Sequence, residues 1–119
     1  MAQQRRYSRL PFPTDSTLAL GADGRTYQTE LIDISLKGAL VRRPAALTAS
    51  PGAPVVLAVR LPDSAITIRM QCTLAHGSAE RLGLHCVSID MESMTHLRRL
   101  LELNLGDPML VERELLALG

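Results

Sequence analysis

The sequence contains few aromatic residues: no tryptophan, one phenylalanine and two tyrosines among 119 residues. Proteins that bind single-stranded nucleic acid stack its bases on aromatic side chains that lie across a basic face. Phe12, Tyr7 and Tyr27 are too few for such a surface. The composition therefore argues against nucleic acid as a ligand.

Long hydrophobic runs are also missing. No stretch approaches the roughly 18 apolar residues that a membrane-spanning helix needs, and the N-terminus has no hydrophobic segment of the signal-peptide kind. We therefore expect a cytoplasmic protein that does not insert into a membrane.

Cysteine is scarce, with Cys72 and Cys86 as the two examples. No second cysteine pair or histidine pair stands at zinc spacing, which argues against a structural metal. The two cysteines would lie roughly opposite each other if their strand-like segments form a hairpin that turns near Ala79, close enough in principle for a disulfide. In a cytosolic protein we expect both to be small buried apolar residues instead.

Catalytic motifs are absent as well. The sequence has no nucleophile motif of the Gly-x-Ser-x-Gly type, no zinc-hydrolase motif and no glycine-rich phosphate loop. The three histidines fall in a predicted loop, a predicted strand and a predicted helix: His76, His85 and His96. We therefore expect neither an enzyme nor a bound cofactor or metal ion.

What the chain does contain is alternation of apolar and polar residues, the pattern of half-buried strands. At 46% hydrophobic residues, the chain is long enough to fold as one domain. Six segments are predicted to be strands: 17–20, 25–34, 38–41, 55–61, 66–74 and 81–89. Six short strands with short turns and few aromatics suggest a small closed or nearly closed barrel.

After residue 89 the period changes to that of a helix. Asp90 or Ser93 can cap a helix that ends near Gly106, and Asp107 with Pro108 can begin a second one over 109–118. We expect the first helix to pack against the barrel. Whether the second helix packs there too or offers its apolar stripe to a partner stays open.

Positive charge is concentrated near the N-terminus. Residues 1–43 carry seven basic and four acidic side chains, whereas residues 44–119 carry six basic and eight acidic ones. Arg5, Arg6 and Arg9 supply much of this charge, and guanidinium matches both phosphate and the O6/N7 edge of guanine. The prolines that follow disfavour helix and ladder pairing, so residues 1–12 are predicted to be a flexible arm ahead of a domain over 13–119.

A polar turn is predicted between the second and third strands. Asp33, Ser35 and Gly38 stand at positions one, three and six of this stretch. A carboxylate, a hydroxyl and bare backbone can therefore face one spot and contact a ligand. Arg42, at the end of the third strand, either extends the basic patch toward a phosphate or is a solvent-exposed strand end.

An Arg-x-x-x-Arg arm followed by Asp-x-Ser-x-x-Gly resembles the PilZ domain family, whose members commonly bind the bacterial second messenger cyclic di-GMP. The resemblance covers most of the chain and includes the runs 95–100 and 102–107, which are similar to single-domain PilZ proteins. It implies a mainly β fold: a six-stranded antiparallel PilZ-type β-barrel with C-terminal α-helices. It further implies a free-standing receptor or adaptor.

For the arm, the resemblance implies that Arg5 and Arg9 grip the phosphates and a guanine edge, with Arg6 assisting. Binding would fold the arm over the ligand and leave a changed surface for an unidentified protein partner in motility, chemotaxis, biofilm or pilus control. The alternative is a PilZ-type protein-interaction module that binds no nucleotide. Because both motifs are intact, we favour binding; whether one nucleotide or a stacked pair is held stays open.

For the turn, the resemblance implies that Asp33 accepts hydrogen bonds from guanine N1 and N2. Ser35 would add a hydroxyl contact, and Gly38 would keep a side chain out of the way of the base. His76, at the end of the fifth predicted strand and near the barrel rim, either stacks on a guanine or is a solvent-exposed loop histidine.

Overall fold

The computed structural model describes residues 7–21, 24–48 and 50–118, which form six strands followed by two helices. The strands are β1 (Leu10–Leu20), β2 (Thr26–Ser35), β3 (Gly38–Arg42), β4 (Pro54–Arg60), β5 (Thr67–Gly77) and β6 (Arg81–Ile89), and the helices are α1 (Met91–Leu105) and α2 (Pro108–Leu118). All neighbouring strands are antiparallel, and they close into a barrel in the order β1-β2-β3-β6-β5-β4. The predicted fold class is confirmed.

The barrel interior is filled by the inward-facing residues of the alternating strands. On β5, for example, Ile68, Met70, Cys72 and Leu74 are all buried while Arg69 and Gln71 between them are exposed. Each fully buried aliphatic side chain of this kind contributes about 1.5–3 kcal/mol relative to exposure. The period of two that predicted the strands therefore also identifies the core.

The first strand is longer than predicted, because it begins at Leu10 instead of residue 17. Pro11 lies opposite Asp33 on β2, and the register then shifts between Pro11 and Thr14. A β-bulge tolerates proline, which has no N–H to donate to a ladder. The expectation that the prolines would prevent strand pairing was wrong for Pro11, and pairing starts inside the segment assigned to the arm.

Both helices begin at the predicted signals, and α1 also ends at its predicted glycine. The Asp90 side chain accepts a hydrogen bond from the Ser93 N–H at 2.9 Å, and Gly106 closes α1 with a positive φ of 75°. Asp107 caps α2 in the same way through the Met109 and Leu110 N–H groups. Among the described residues, neither helix has the length and apolar character to cross a bilayer.

The two helices cover the barrel and each other. On α1, Leu97 and Leu101 are fully buried, and the helix contacts β5 and β1. On α2, Val111 is fully buried and the helix packs on α1, while Met109 and Leu116 stay exposed. The expectation for the first helix is confirmed, and the second helix both packs on the domain and presents apolar side chains outward.

Candidate functional site

The turn between β2 and β3 is held by the side chain of Ser35. Its Oγ accepts a hydrogen bond from the Lys37 N–H at 3.2 Å and donates one to the Gly38 carbonyl at 3.4 Å. The residue is only 8% exposed. Ser35 therefore fixes the shape of the turn, and a hydroxyl contact to a ligand would have to exchange with these bonds.

Gly38 is required by the packing of β3 against β6. A Cβ at this position would collide with the carbonyl oxygen of Leu84 on the neighbouring strand. Glycine in a strand commonly marks such a close approach of two backbones. Room for a base beside Gly38 stays a prediction, because strand packing requires the glycine with or without a ligand.

The N-terminal segment and the turn meet through one ion pair. Arg9 Nε lies 3.1 Å from Asp33 Oδ1, and the two side chains are 30% and 16% exposed. Tyr7 packs against the core from a partly buried position, which helps to keep this segment on the barrel. Arg5 and Arg6, the other predicted phosphate ligands, lie outside the described residues.

A row of residues crosses the outer wall of the barrel from this ion pair. Asp33 lies opposite Leu40, Leu40 opposite Gly83, and Gly83 opposite His76. Directly opposite residues point to the same face of a sheet. Because Ile34, Val41, Leu82 and Leu84 next to them on the strands are buried inside, Asp33, Leu40 and Gly83 face outward. The register shift between Leu74 and His76 turns the exposed His76 to the same face. We call Asp33, Leu40, Gly83 and His76 the outer strip; three strand spacings give it a length of about 14 Å.

His76 lies within β5 and is exposed, so it is a strand residue and not a loop histidine. Its ring covers Gly83, where an added Cβ would stand 2.6 Å from the His76 Cε1. The missing side chain of Gly83 is thus what allows the ring to lie flat on the wall. Gly83 was not predicted as a site residue, although a glycine between the apolar Leu82 and Leu84 is the usual signal of such a close contact.

Arg42 lies on the outward face of β3, two residues beyond Leu40. Its Nε is 2.9 Å from Glu30 Oε1 on β2, and its side chain is 67% exposed. Exposed ion pairs contribute only about 0–1 kcal/mol and exchange readily. Arg42 is therefore a solvent-exposed strand end paired with Glu30, and its turn toward a phosphate stays a prediction.

A second contact ties the N-terminal segment to the last helix. Glu114 on α2 is 6% exposed and accepts hydrogen bonds from the Ser8 N–H at 3.0 Å and the Ser8 Oγ at 2.6 Å. No local pattern in the sequence predicted this link. A carboxylate one turn from the buried Val111 on the apolar side of a helix was the available signal, because a buried charge needs a partner.

The PilZ domain model of the protein-family comparison matches residues 3–103. The chain belongs to the PilZ domain family. PilZ domains are non-catalytic receptor domains for cyclic di-GMP, which confirms the expectation that this chain is not an enzyme. The match includes the N-terminal segment, the barrel and most of α1.

Three solved structures share the fold of this PilZ domain. They are the PilZ domain of YcgR from Escherichia coli with c-di-GMP (TM-score 0.70, 19% identity, covering 87% of this chain and 93% of that one), the Bacillus subtilis inhibitor of motility MotI/DgrA (0.65, 20%, 81% and 48%), and the PilZ domain of CeSA from a cellulose-synthesizing bacterium (0.63, 15%, 83% and 96%). This chain spans about half the length of MotI/DgrA. At these identities the likeness shows the barrel architecture.

Proposed function

We propose that this PilZ domain is a cytoplasmic receptor for cyclic di-GMP that changes the conformation of its N-terminal segment on binding and signals through a partner protein. The contact between Arg9 and Asp33 carries the proposal. A guanine dinucleotide needs a cation for phosphate and guanine O6/N7, and an anion for guanine N1 and N2. Here both groups lie within 3.1 Å of each other at the edge of an exposed wall.

The ion pair leaves acceptor capacity for the ligand. Arg9 uses Oδ1 of Asp33, whereas a carboxylate has about four lone-pair sites on two oxygens. Guanine N1 and N2 can therefore donate to Asp33 while a second edge of the Arg9 guanidinium faces a phosphate. Arg5 and Arg6 would add positive charge beside the two phosphates of the ligand. When the ligand binds, the ion pair between Arg9 and Asp33 would rearrange, and each of the two charges would keep a partner.

The outer strip supplies a surface for the base. Leu40 is half-buried, and beyond it the His76 ring covers Gly83, so the wall beside Asp33 presents an apolar side chain and then an exposed imidazole face. A guanine whose N1/N2 edge meets Asp33 would extend over Leu40 and stack on the outer face of the His76 ring. Arg42 borders the strip on β3 and would reach a phosphate once released from Glu30.

The proposed signal begins with the segment that holds Arg9. Its neighbour Ser8 is hydrogen-bonded to Glu114, so a ligand that moves Arg9 strains or breaks a contact to α2. The exposed Met109 and Leu116 lie on that helix. A changed position of the N-terminal segment over α2 would present a new surface to a protein partner in motility, chemotaxis, biofilm or pilus control.

Calorimetric titration of cyclic di-GMP into the purified protein tests the proposal. We expect saturable binding, and we expect Arg9→Ala to weaken it about 10- to 100-fold, the value of one or two charge-assisted hydrogen bonds. Arg113→Ala, an exposed arginine on α2, is the matched control and should leave the affinity unchanged. Absence of heat from the wild-type protein at high micromolar nucleotide would overturn the proposal.

The second candidate is a PilZ-type interaction module that does not bind nucleotide. It is favoured by the mutual neutralisation of Arg9 and Asp33, which leaves neither charge without a partner. The double substitution Arg5→Ala with Arg9→Ala distinguishes the two. It should abolish nucleotide binding by a receptor, whereas an interaction that never used the nucleotide would survive it.

A further inference from the structure

Two cysteines face each other across neighbouring strands of the barrel. Cys72 on β5 lies directly opposite Cys86 on β6, and both point into the core with exposures of 3% and 5%. Both are free thiols. The nucleotide site described above uses neither of them.

The register places this pair where a disulfide fits. The Cys86 N–H donates to the Lys37 carbonyl at 2.7 Å, on the side of β6 that faces away from β5. Since the N–H and C=O of one strand residue point to the same side, Cys72 and Cys86 form a non-hydrogen-bonded pair. The Cα atoms of such pairs are about 4.5 Å apart, inside the range of about 4.4–6.8 Å that disulfides span.

The two thiols differ in acidity. The pKa of Cys86 is lowered by its interaction with the Cys72 thiol and by the nearby Lys37 ammonium, against the opposing effect of burial. The interaction with Cys86 and burial raise the pKa of Cys72. The Cys86 S–H donates to the Ser88 carbonyl at 3.5 Å, a bond that it gives up when it ionises. One sulfur is therefore suited to attack as a thiolate and the other to resolve the product as a thiol.

The barrel wall is irregular at this pair. The register of β5 and β6 shifts between Gln71 and Cys72, so that Val87 is an extra residue on β6. Cys72 and Val87 both line a cavity of about 250 Å³ at this place. Hydrogen peroxide is small enough to enter this space as far as Cys72, and Cys86 lies directly opposite Cys72.

We propose that Cys72 and Cys86 are a redox-sensitive dithiol that hydrogen peroxide converts into a disulfide across the barrel wall. The Cys86 thiolate attacks one peroxide oxygen and breaks the O–O bond, which leaves a sulfenic acid on Cys86 and, after protonation, one water. The Cys72 sulfur then attacks the Cys86 sulfur, the S–O bond breaks, and the proton of Cys72 leaves with the hydroxyl as a second water. Two thiols lose two electrons, and one peroxide becomes two waters.

The disulfide also acts on the nucleotide site, a consequence that rests on the proposed function. Cys86 holds the Lys37 carbonyl, and Lys37 belongs to the turn between Ser35 and Gly38. A disulfide restrains the Cys86 main chain, so the turn that hangs on it adjusts less readily to a ligand. We expect the oxidised protein to bind cyclic di-GMP several-fold more weakly than the reduced protein.

Intact-mass spectrometry of the reduced, desalted protein after peroxide treatment tests the disulfide. The expected result is a loss of about 2 Da, the two thiol hydrogens, with one peptide that joins Cys72 to Cys86, reversed by dithiothreitol. Cys72→Ser is the matched control, and it should gain oxygen at Cys86 instead. Unreacted thiols, separate oxygen adducts in the wild type, or crosslinked dimers would overturn the inference.

Titration of cyclic di-GMP into the reduced and the oxidised protein separates the two proposals. Reduced protein that binds no cyclic di-GMP would overturn the proposed function and leave the disulfide standing. If reduced protein binds and the oxidised protein binds equally well, the link through Lys37 is wrong. Dithiothreitol should restore the reduced affinity in the wild type, while the affinity of Cys72→Ser should not respond to it.

Discussion

Single residues on the outer wall combine local packing with a role at the site. His76 illustrates this, because its ring covers Gly83 while its other face is exposed. We expect His76→Ala to weaken cyclic di-GMP binding about tenfold, within the range of about 1–3 kcal/mol that one stacked base contributes. Calorimetry measures the affinity and thermal unfolding monitors the fold, which should be unchanged. An unaltered affinity would make His76 an ordinary exposed strand residue.

Substitution of Gly38, in contrast to that of His76, should lower the stability of the fold. The new methyl group of Gly38→Ala would meet the Leu84 carbonyl, a backbone atom that cannot rotate away. We expect a loss of about 1–3 kcal/mol in the free energy of unfolding, the usual cost of overpacking, measured by urea denaturation. Gly21→Ala is the control, because its Cβ would stand 3.6 Å from Pro54 Cγ, an ordinary contact. Equal stability of the two variants would contradict the packing argument.

At the residue scale, a short motif predicted the residues of the turn, whose contacts with a ligand stay predictions, and the sequence missed groups that depend on distant neighbours. Asp33, Ser35 and Gly38 follow from turn chemistry and spacing within six residues. The partnership of Ser8 with Glu114 joins residues 106 positions apart, which no local pattern encodes. The role of Gly83 depends on His76, which the pairing of β5 with β6 places over it.

Whole elements were predicted well wherever both of their ends carry chemical signals. β6 and α1 begin and end where Asp90, Gly106 and the alternation place them. β1 was predicted too short, because proline was read as a stop. A proline stops a ladder only where its missing N–H would be needed, and the bulge between Pro11 and Thr14 removes that need.

The link between the N-terminal segment and α2 yields a test at the element scale. Glu114→Ala leaves the Ser8 N–H and hydroxyl without their acceptor, so we expect faster amide exchange at Ser8 and a stability loss of about 1–3 kcal/mol. If the segment moves on binding, the contact opposes the ligand, and its removal should raise the affinity for cyclic di-GMP by up to about tenfold.

The control for Glu114→Ala is Glu112→Ala, an exposed carboxylate on the same helix. It should alter neither exchange at Ser8 nor the affinity. A lower affinity in Glu114→Ala would show that the contact positions Arg9 for the ligand, and the proposed release of the segment would then be wrong.

At the scale of the molecule, closure of the barrel makes the wall rigid. Every strand is paired on both sides, so the outer strip lies on four strands whose relative positions are fixed by main-chain hydrogen bonds. The sequence predicted six strands and a barrel, but β4 pairs with β1 across about forty residues of intervening chain. That pairing follows from closure of the barrel, in which the two edge strands β1 and β4 pair with each other and leave no main-chain edge exposed.

The charge distribution of the whole chain leads to the last prediction. Residues 1–43 carry a net +3 and residues 44–119 a net −2, so an anionic ligand is attracted to the basic first part of the chain, which contains Arg9. Arg9 is partly exposed, and salt shortens the reach of such charges from about 10 Å at 0.1 M to about 3 Å at 1 M. We expect the affinity for cyclic di-GMP to fall about 3- to 10-fold between about 50 mM and 500 mM salt. Arg9→Ala should reduce this salt dependence. Arg113→Ala should not, because Arg113 belongs to the acidic part of the chain. An affinity that does not change with salt would mean that stacking and neutral hydrogen bonds hold the nucleotide, and that the arginines serve the fold.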